Sequence, residues 1–291
     1  MPHAKTAMKA IAKKTKAKRQ HTRMPENSSS KEEVSSIEED SSLKEESQLG
    51  VTETLVWDLP LRLFHWALAL SLVGSWVTAE AGFDWTETHF LFGYTALGLI
   101  SFRLLWGLLG TAHARFSNFL TGPKAVINAL GQLKQKTPPG EVSHVGHGPV
   151  GGWASVVLLA LVLTQAVSGL FISDDIFYAG PYNSAVSSSL ADYLGWLHHT
   201  NFNILLAAIA LHLITITWYL LGKKENLIGP MLTGNKNISP SLAHRKTQSK
   251  TQPMTQPAVY SNPLWRGFLI ASFVLVMIVL LVNLAPEPEY F

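Results

Sequence analysis

Long apolar runs alternate with short charged segments over most of the chain. Residues 151–173, 201–222 and 267–286 contain no charged side chain, and the segments 60–78 and 89–110 contain one each. About 20 apolar residues in a helix are enough to cross the hydrocarbon core of a bilayer. The pattern therefore predicts five membrane-spanning helices with membrane lipid around them.

Two stretches of the chain differ from these spans in composition. The first 50 residues begin with eight Lys or Arg and continue with eight Asp or Glu among serines. Such a segment buries too little apolar surface to fold, so we predict that 1–50 is a disordered, charged arm. A polar Pro/Thr/Gln-rich linker at 230–263 is predicted to separate a four-helix domain, 51–229, from a fifth transmembrane helix at 264–285. We interpret the arm as a solvated cytosolic segment and predict no nucleic-acid partner.

Charges are sorted between the loops. The loop 111–150 and the segment after residue 222 are rich in Lys and Arg, whereas the loops 79–88 and 173–197 carry only acids. Because basic loops stay in the cytoplasm, the N-terminus is predicted inside and both acidic loops outside.

Cysteine is missing from the 291 residues, and only 15% of them are charged, against about 25% in soluble domains. The lack of cysteine excludes disulfides, iron–sulfur clusters, thiolate metal ligands and covalently attached c-type haem. Any metal centre therefore has to use other ligands.

Four histidines occupy two depths in the predicted spans. His198 and His212 are fourteen residues apart, so in a helix they share one face and lie roughly 21 Å apart along the axis. Given the charge-derived topology, His65 lies toward the cytoplasmic side with His212, and His89 lies toward the outer side with His198. The sequence thus predicts two metal centres stacked across the membrane, one at each depth.

Two facing imidazoles on packed helices are typical of a bis-histidine haem site. Bare zinc is disfavoured, since it wants more ligands at each level. Single histidines in spans also serve as hydrogen-bonding or interface residues, and His199 competes with His198 for the ligand role. Arg62 and Arg103 are candidates for cofactor binding through haem propionates, although anchoring at the membrane surface is the alternative for each.

The chain resembles the prokaryotic cytochrome b561 family, which includes the b-type cytochrome subunits of nickel–iron hydrogenases. The resemblance covers roughly residues 55–236 and rests on the strings VWDLPLRLFHW, GHGPVGGWASVVLLALVLTQAVSGLFISDD, LHHTNFNILLAAIALH and KKENLIGPMLTG. It implies an all-α four-helix transmembrane bundle with two haems b and electron exchange with quinone; the fifth helix is an addition to that core. By motif, the resemblance assigns the haem iron to the same four histidines: His65, His89, His198 and His212.

These observations predict a di-haem b-type cytochrome of the bacterial inner membrane. It would transfer electrons between the quinone pool and a periplasmic redox partner such as a c-type cytochrome. The alternative is a cytochrome b subunit that anchors a hydrogenase or another periplasmic oxidoreductase; quinone oxidoreductase activity would then belong to the complex. A haem-free transporter or membrane scaffold is the alternative of another class.

Overall fold

The structure is a computed structural model, and it describes residues 52–132, 146, 148–173, 178–238 and 263–286. The predicted charged arm, 1–50, and residues 239–262 of the predicted linker lie outside the described residues.

The described chain is almost entirely helical. Its elements are β1 (Thr52–Leu55), α1 (Leu59–Glu80), α2 (Thr86–Leu109), α3 (Phe116–Phe119), α4 (Pro123–Gln132), α5 (Pro149–Gly169), α6 (Ser188–Leu221), α7 (Ile228–Thr233), β2 (Asn235–Ile238) and α8 (Pro263–Asn283), with 3-10 turns at Phe83–Trp85 and Asn183–Ala185. Helices α1, α2, α5, α6 and α8 are long and apolar enough to cross a membrane. The predicted all-α membrane bundle with five spans is confirmed.

Two boundaries differ from those that hydropathy predicts. Helix α6 begins at Ser188, ahead of the predicted span that His198 opens, because its first turns contain polar residues and are not apolar enough to register as a span. The folded domain also continues past residue 229, since α7 and β2 occupy the start of the segment predicted as a linker.

The five long helices pack in an open arrangement. Helix α1 packs along α2, α5 packs along α6, and α2 joins the two pairs through α5; α8 lies against α2 and α1. The core at their contacts includes Phe64, Ile100, Trp106, Val162 and Leu205. Many apolar side chains on the outside of the bundle are exposed, as expected for surfaces that face lipid.

A buried carboxylate organises the start of α1. Asp58 caps α1 by accepting a hydrogen bond from Leu61 N at 2.8 Å. The same carboxylate accepts from Trp106 Nε1 at 3.1 Å and from the hydroxyl of Thr111. It also interacts electrostatically with the buried Arg103 of α2. Asp58 therefore joins the beginning of α1 to the end of α2.

A short strand pair closes the same end of the bundle. Strands β1 and β2 are antiparallel, with Leu55 opposite Asn235. Gly234 precedes β2 at φ 90°, and a side chain there would also meet Trp57 O at 2.8 Å. The carbonyl of Gly234 accepts a hydrogen bond from Val56 N at 2.8 Å. The chain leaving α6 is thereby tied to the chain entering α1.

Replacing Asp58 with Ala is expected to destabilise the bundle. The change removes a helix cap and leaves the buried donor of Trp106 and the half-buried donor of Thr111 without their acceptor, which corresponds to about 3 kcal/mol of unfolding free energy. Denaturation of the detergent-solubilised protein, followed by circular dichroism, measures the loss. The exposed Asp84 is the control, and Asp84→Ala should change stability by less than about 0.5 kcal/mol. Equal denaturation midpoints for the two variants would contradict the role assigned to Asp58.

Candidate functional site

Two imidazoles from different helices face each other at one end of the bundle. His89 lies in the first turns of α2 and His198 lies in α6; we call them the second histidine pair. Their ring centroids are 6.4 Å apart, and the ring planes are inclined at 73°. Imidazoles bonded at about 2.0 Å to one metal ion from opposite sides have centroids slightly more than about 6 Å apart. The second histidine pair is therefore spaced to hold one metal ion between its rings.

Hydrogen bonds orient both rings of the second histidine pair. His89 Nδ1 lies 2.9 Å from the carbonyl oxygen of Ser75, which only accepts, so Nδ1 carries the proton. His198 Nδ1 lies 3.2 Å from Ser168 Oγ. When Nδ1 donates in this way, the lone pair is at Nε2, the atom that binds a metal.

The other two histidines also come together. His65 of α1 and His212 of α6, the first histidine pair, are close enough to interact electrostatically. The His65 ring meets the Trp66 ring edge-on, with centroids 5.2 Å apart. His65 Nδ1 is buried, and no partner for it exists among the described residues. The structure thus places His65 near His212 and His89 near His198, and their role as ligand pairs stays a prediction.

Both histidine pairs bridge helices that do not pack closely. Helix α6 lies along α5 and makes few close backbone contacts with α1 or α2 over the described residues. Asn201, one turn after His198, fixes this arrangement by donating to Gln165 Oε1 at 2.7 Å and Leu161 O at 3.0 Å. The side chains of α6 consequently reach α1 and α2 across a space between helices, which would suit a flat ligand lying between the imidazoles.

Glycines near the site have different neighbours. Gly93 is one turn after His89, and a Cβ placed on it would meet no atom within 4 Å. By contrast, Gly74 lies against the Phe92 ring, and Gly98 lies against Ile278 of α8. Only Gly93 therefore leaves open space beside the second histidine pair; the other two allow helices to approach each other.

Two arginines, the half-buried Arg62 and the buried Arg103, lie at the end of the bundle that holds the first histidine pair. Arg62 donates through Nη1 to Leu232 O, while its Nε is buried without a partner. Arg103 is 3% exposed, with its guanidinium 4.6 Å from the Phe116 ring centroid and Nη1 without a partner among the described residues. Each can still donate a hydrogen bond to a carboxylate.

The other histidine considered as a ligand in α6, His199, belongs to neither pair. His199 directly follows His198 but is exposed, so the structure favours His198 as the residue facing α2. In the described ranges, no three His, Cys, Asp or Glu side chains gather as a bare metal ion would require. With two ligands at each level, the remaining coordination positions would have to come from a cofactor.

The sequence does not predict that three further residues contact the second histidine pair. Ser75 acts through its backbone carbonyl, which no side-chain pattern reveals. Ser168 and Gly169 end α5 as a Ser-Gly step that resembles ordinary small-residue packing. A Cβ on Gly169 would lie 3.1 Å from His198 Cε1, so the glycine lets the imidazole lie close to α5.

Comparison with protein families gives a match. The family model described as prokaryotic cytochrome b561 matches residues 56–234, which contain all four histidines and both arginines. No curated protein and no solved structure matches the chain significantly.

Proposed function

The chain belongs to the prokaryotic cytochrome b561 family and is a multi-pass membrane b-type cytochrome involved in electron transfer, and we propose that it binds two haems b and carries electrons between the quinone pool and a periplasmic redox partner. The observation that carries the proposal is the approach of two imidazoles at each of two levels of the bundle. One haem would be held by His89 and His198, and the other by His65 and His212.

The residues around the histidines fit such a cofactor. The open space beside Gly93 leaves room for a flat macrocycle, and the buried nitrogens of Arg62 and Arg103 without partners suit carboxylate groups such as propionates. When bound, haem supplies one-electron chemistry. The chain's own part is to hold the imidazole lone pairs in place and to keep water away by the apolar helices around them.

We expect the purified protein to contain two extractable b-type haems per chain. Substituting any one of the four histidines with Ala should lower the pyridine haemochrome value from two to about one, because each pair shares one cofactor. The His65→Ala and His212→Ala variants should lose the same spectral component, and His89→Ala and His198→Ala should lose the other.

His199→Ala is the matched control, since it removes the imidazole next to His198 on an exposed position. It should retain both haems. A wild-type value near zero would favour a haem-free transporter or scaffold, and a value near one would contradict the pairing. Loss of a haem in His199→Ala with retention in His198→Ala would reverse the assignment in α6.

The proposed location is the bacterial inner membrane with the N-terminus in the cytoplasm. Support comes from the basic loop that contains α3 and α4 and from the acidic residues between α1 and α2. In this orientation the first histidine pair is on the cytoplasmic side. The arm 1–50 would lie in the cytoplasm, and α8 would leave the C-terminus outside.

Reporter fusions test this orientation. Alkaline phosphatase, which is active only outside the cytoplasm, should be active when fused after Phe291 and inactive when fused after Gln248. The reason is that α8 lies between the two fusion points and is apolar enough to cross the membrane. Equal activity at both positions would mean that α8 does not cross, and reversed activities would invert the whole topology.

An apolar cavity supports quinone as the redox substrate. It has a volume of about 710 Å³ and lies between α1, α2 and α8, where a lipid-soluble molecule can enter from the bilayer. Its lining includes Phe64, the neighbour of His65, and polar side chains are limited to Tyr94, Thr95 and Asn283. Such a lining suits an isoprenoid tail.

The proposed partner approaches the end of the bundle at the second histidine pair. Exposed Glu80, Asp84 and Glu87 lie near His89 there, and Asp192 lies in the first turns of α6. A negative rim steers a basic protein such as a c-type cytochrome. The hydrogenase-type alternative uses the same surface for a permanent subunit; the predicted acids Asp174 and Asp175 lie outside the described residues.

Electron transfer to a basic c-type cytochrome is expected to slow as salt rises. Neutralising Glu80, Asp84 and Glu87 together should flatten that dependence, because the surface charges that steer the encounter are removed. Stopped-flow absorbance of the reduced protein measures the rate. Neutralising the exposed Lys124 and Lys224 of the opposite face is the control and should leave the salt slope unchanged. A rate that ignores both salt and the triple substitution would exclude steering by these acids.

A further inference from the structure

The two histidine pairs differ in the bonding of their Nδ1 atoms. Both imidazoles of the second pair have a partner there: Ser75 O at 2.9 Å for His89 and Ser168 Oγ at 3.2 Å for His198. His65 of the first pair has a buried Nδ1 without a partner in the described part of the chain. The ligating nitrogen of His65 therefore differs in electron-donor strength from the ligating nitrogens of the second pair.

The hydroxyl of Ser168 is oriented by its own helix. Ser168 is 1% exposed, and its Oγ lies 2.7 Å from Thr164 O and 3.1 Å from Gln165 O. A carbonyl only accepts, so the single hydroxyl proton points to these oxygens and the hydroxyl lone pairs remain for His198. His198 must then donate from Nδ1, which fixes its tautomer and leaves the lone pair at Nε2.

Donation from Nδ1 makes an imidazole a stronger electron donor at Nε2. A stronger donor stabilises the oxidised iron over the reduced iron and lowers the midpoint potential. The second histidine pair has this support on both rings. At the first pair, the unpartnered Nδ1 of His65 gives no such support.

Nearby charges act in the same direction. Exposed acids, Glu80, Asp84 and Glu87, lie toward the second histidine pair and favour the more positive, oxidised iron. The end that holds the first pair contains Arg62 and Arg103, which favour the reduced iron. Asp58 offsets the charge of Arg103, but Arg62 remains.

We propose that the centre at His89 and His198 has the lower of two midpoint potentials, and that Ser168 is the positioning residue that keeps it low. The inference rests on the proposed two-haem function. One electron passing from the second histidine pair to the first oxidises one iron and reduces the other, with no bond made or broken. Transfer in that direction is energetically downhill.

Spectroelectrochemical titration of the purified haem-loaded protein tests the proposal. Ser168→Ala should move the lower midpoint potential upward and leave the higher one unchanged. Ser168→Thr, which keeps the hydroxyl, should restore the wild-type value. Ser155→Ala is the matched control, because Ser155 is also on α5 and its hydroxyl donates to the carbonyl of Gly151 at 2.9 Å; it should shift neither potential.

The assignment of the two potentials does not depend on how well the Ser168 variants fold. His89→Ala should remove the lower-potential component, and His65→Ala should remove the higher one. The reverse result would overturn the proposed order. If both haems are present and Ser168→Ala shifts only the higher potential, or neither, the role of Ser168 is overturned while the two-haem function stands. A haem content other than two would instead refute the proposed function itself.

Discussion

The rise of one α-helix sets the distance between the two histidine pairs. His198 and His212 both belong to α6, which runs without interruption from Ser188 to Leu221. At 1.5 Å per residue their separation is about 21 Å, and their angular offset is about 40°. Neither value can change unless α6 bends. The helices α1 and α2 then need only to bring His65 and His89 to the depths of His212 and His198 on α6.

Polar contacts hold α6 in position. Lipid is as apolar as the helix surfaces, so the hydrophobic effect does little to drive the helices together. Asn201 attaches α6 to α5 through Gln165 and the carbonyl of Leu161. At the other end, Asp58 joins α1 to α2, and the β1–β2 pair ties the segment after α6 to the start of α1. These contacts lie beside the histidines, so α6 stays fixed while the space toward α1 and α2 remains open.

Hydropathy and helix arithmetic predict much of this arrangement. Long apolar runs reveal the five spans because the bilayer accepts little else, and a fourteen-residue spacing places two histidines on one face whatever packs around them. The start of α6 is missed because the first turns from Ser188 are polar, and β2 is missed because Asn235–Ile238 has no strand-like alternation. The partner of His89 is a backbone carbonyl, which every residue has, so only tertiary structure can reveal that Ser75 supplies it.

Two ligands at each level are informative about what they bind. A bare divalent ion in a structural site takes about four protein ligands, yet the imidazoles of His89 and His198 meet without a third such side chain in the described residues. Burying two imidazoles against each other in an apolar bundle is costly unless their lone pairs find a hydrogen-bond donor or a metal ion. A macrocyclic cofactor would remove that cost, because it would supply the other metal ligands and fill the space beside Gly93 with apolar surface. The gap between α6 and the helices α1 and α2 is therefore what a haem would need, and a tighter bundle would have no place for it.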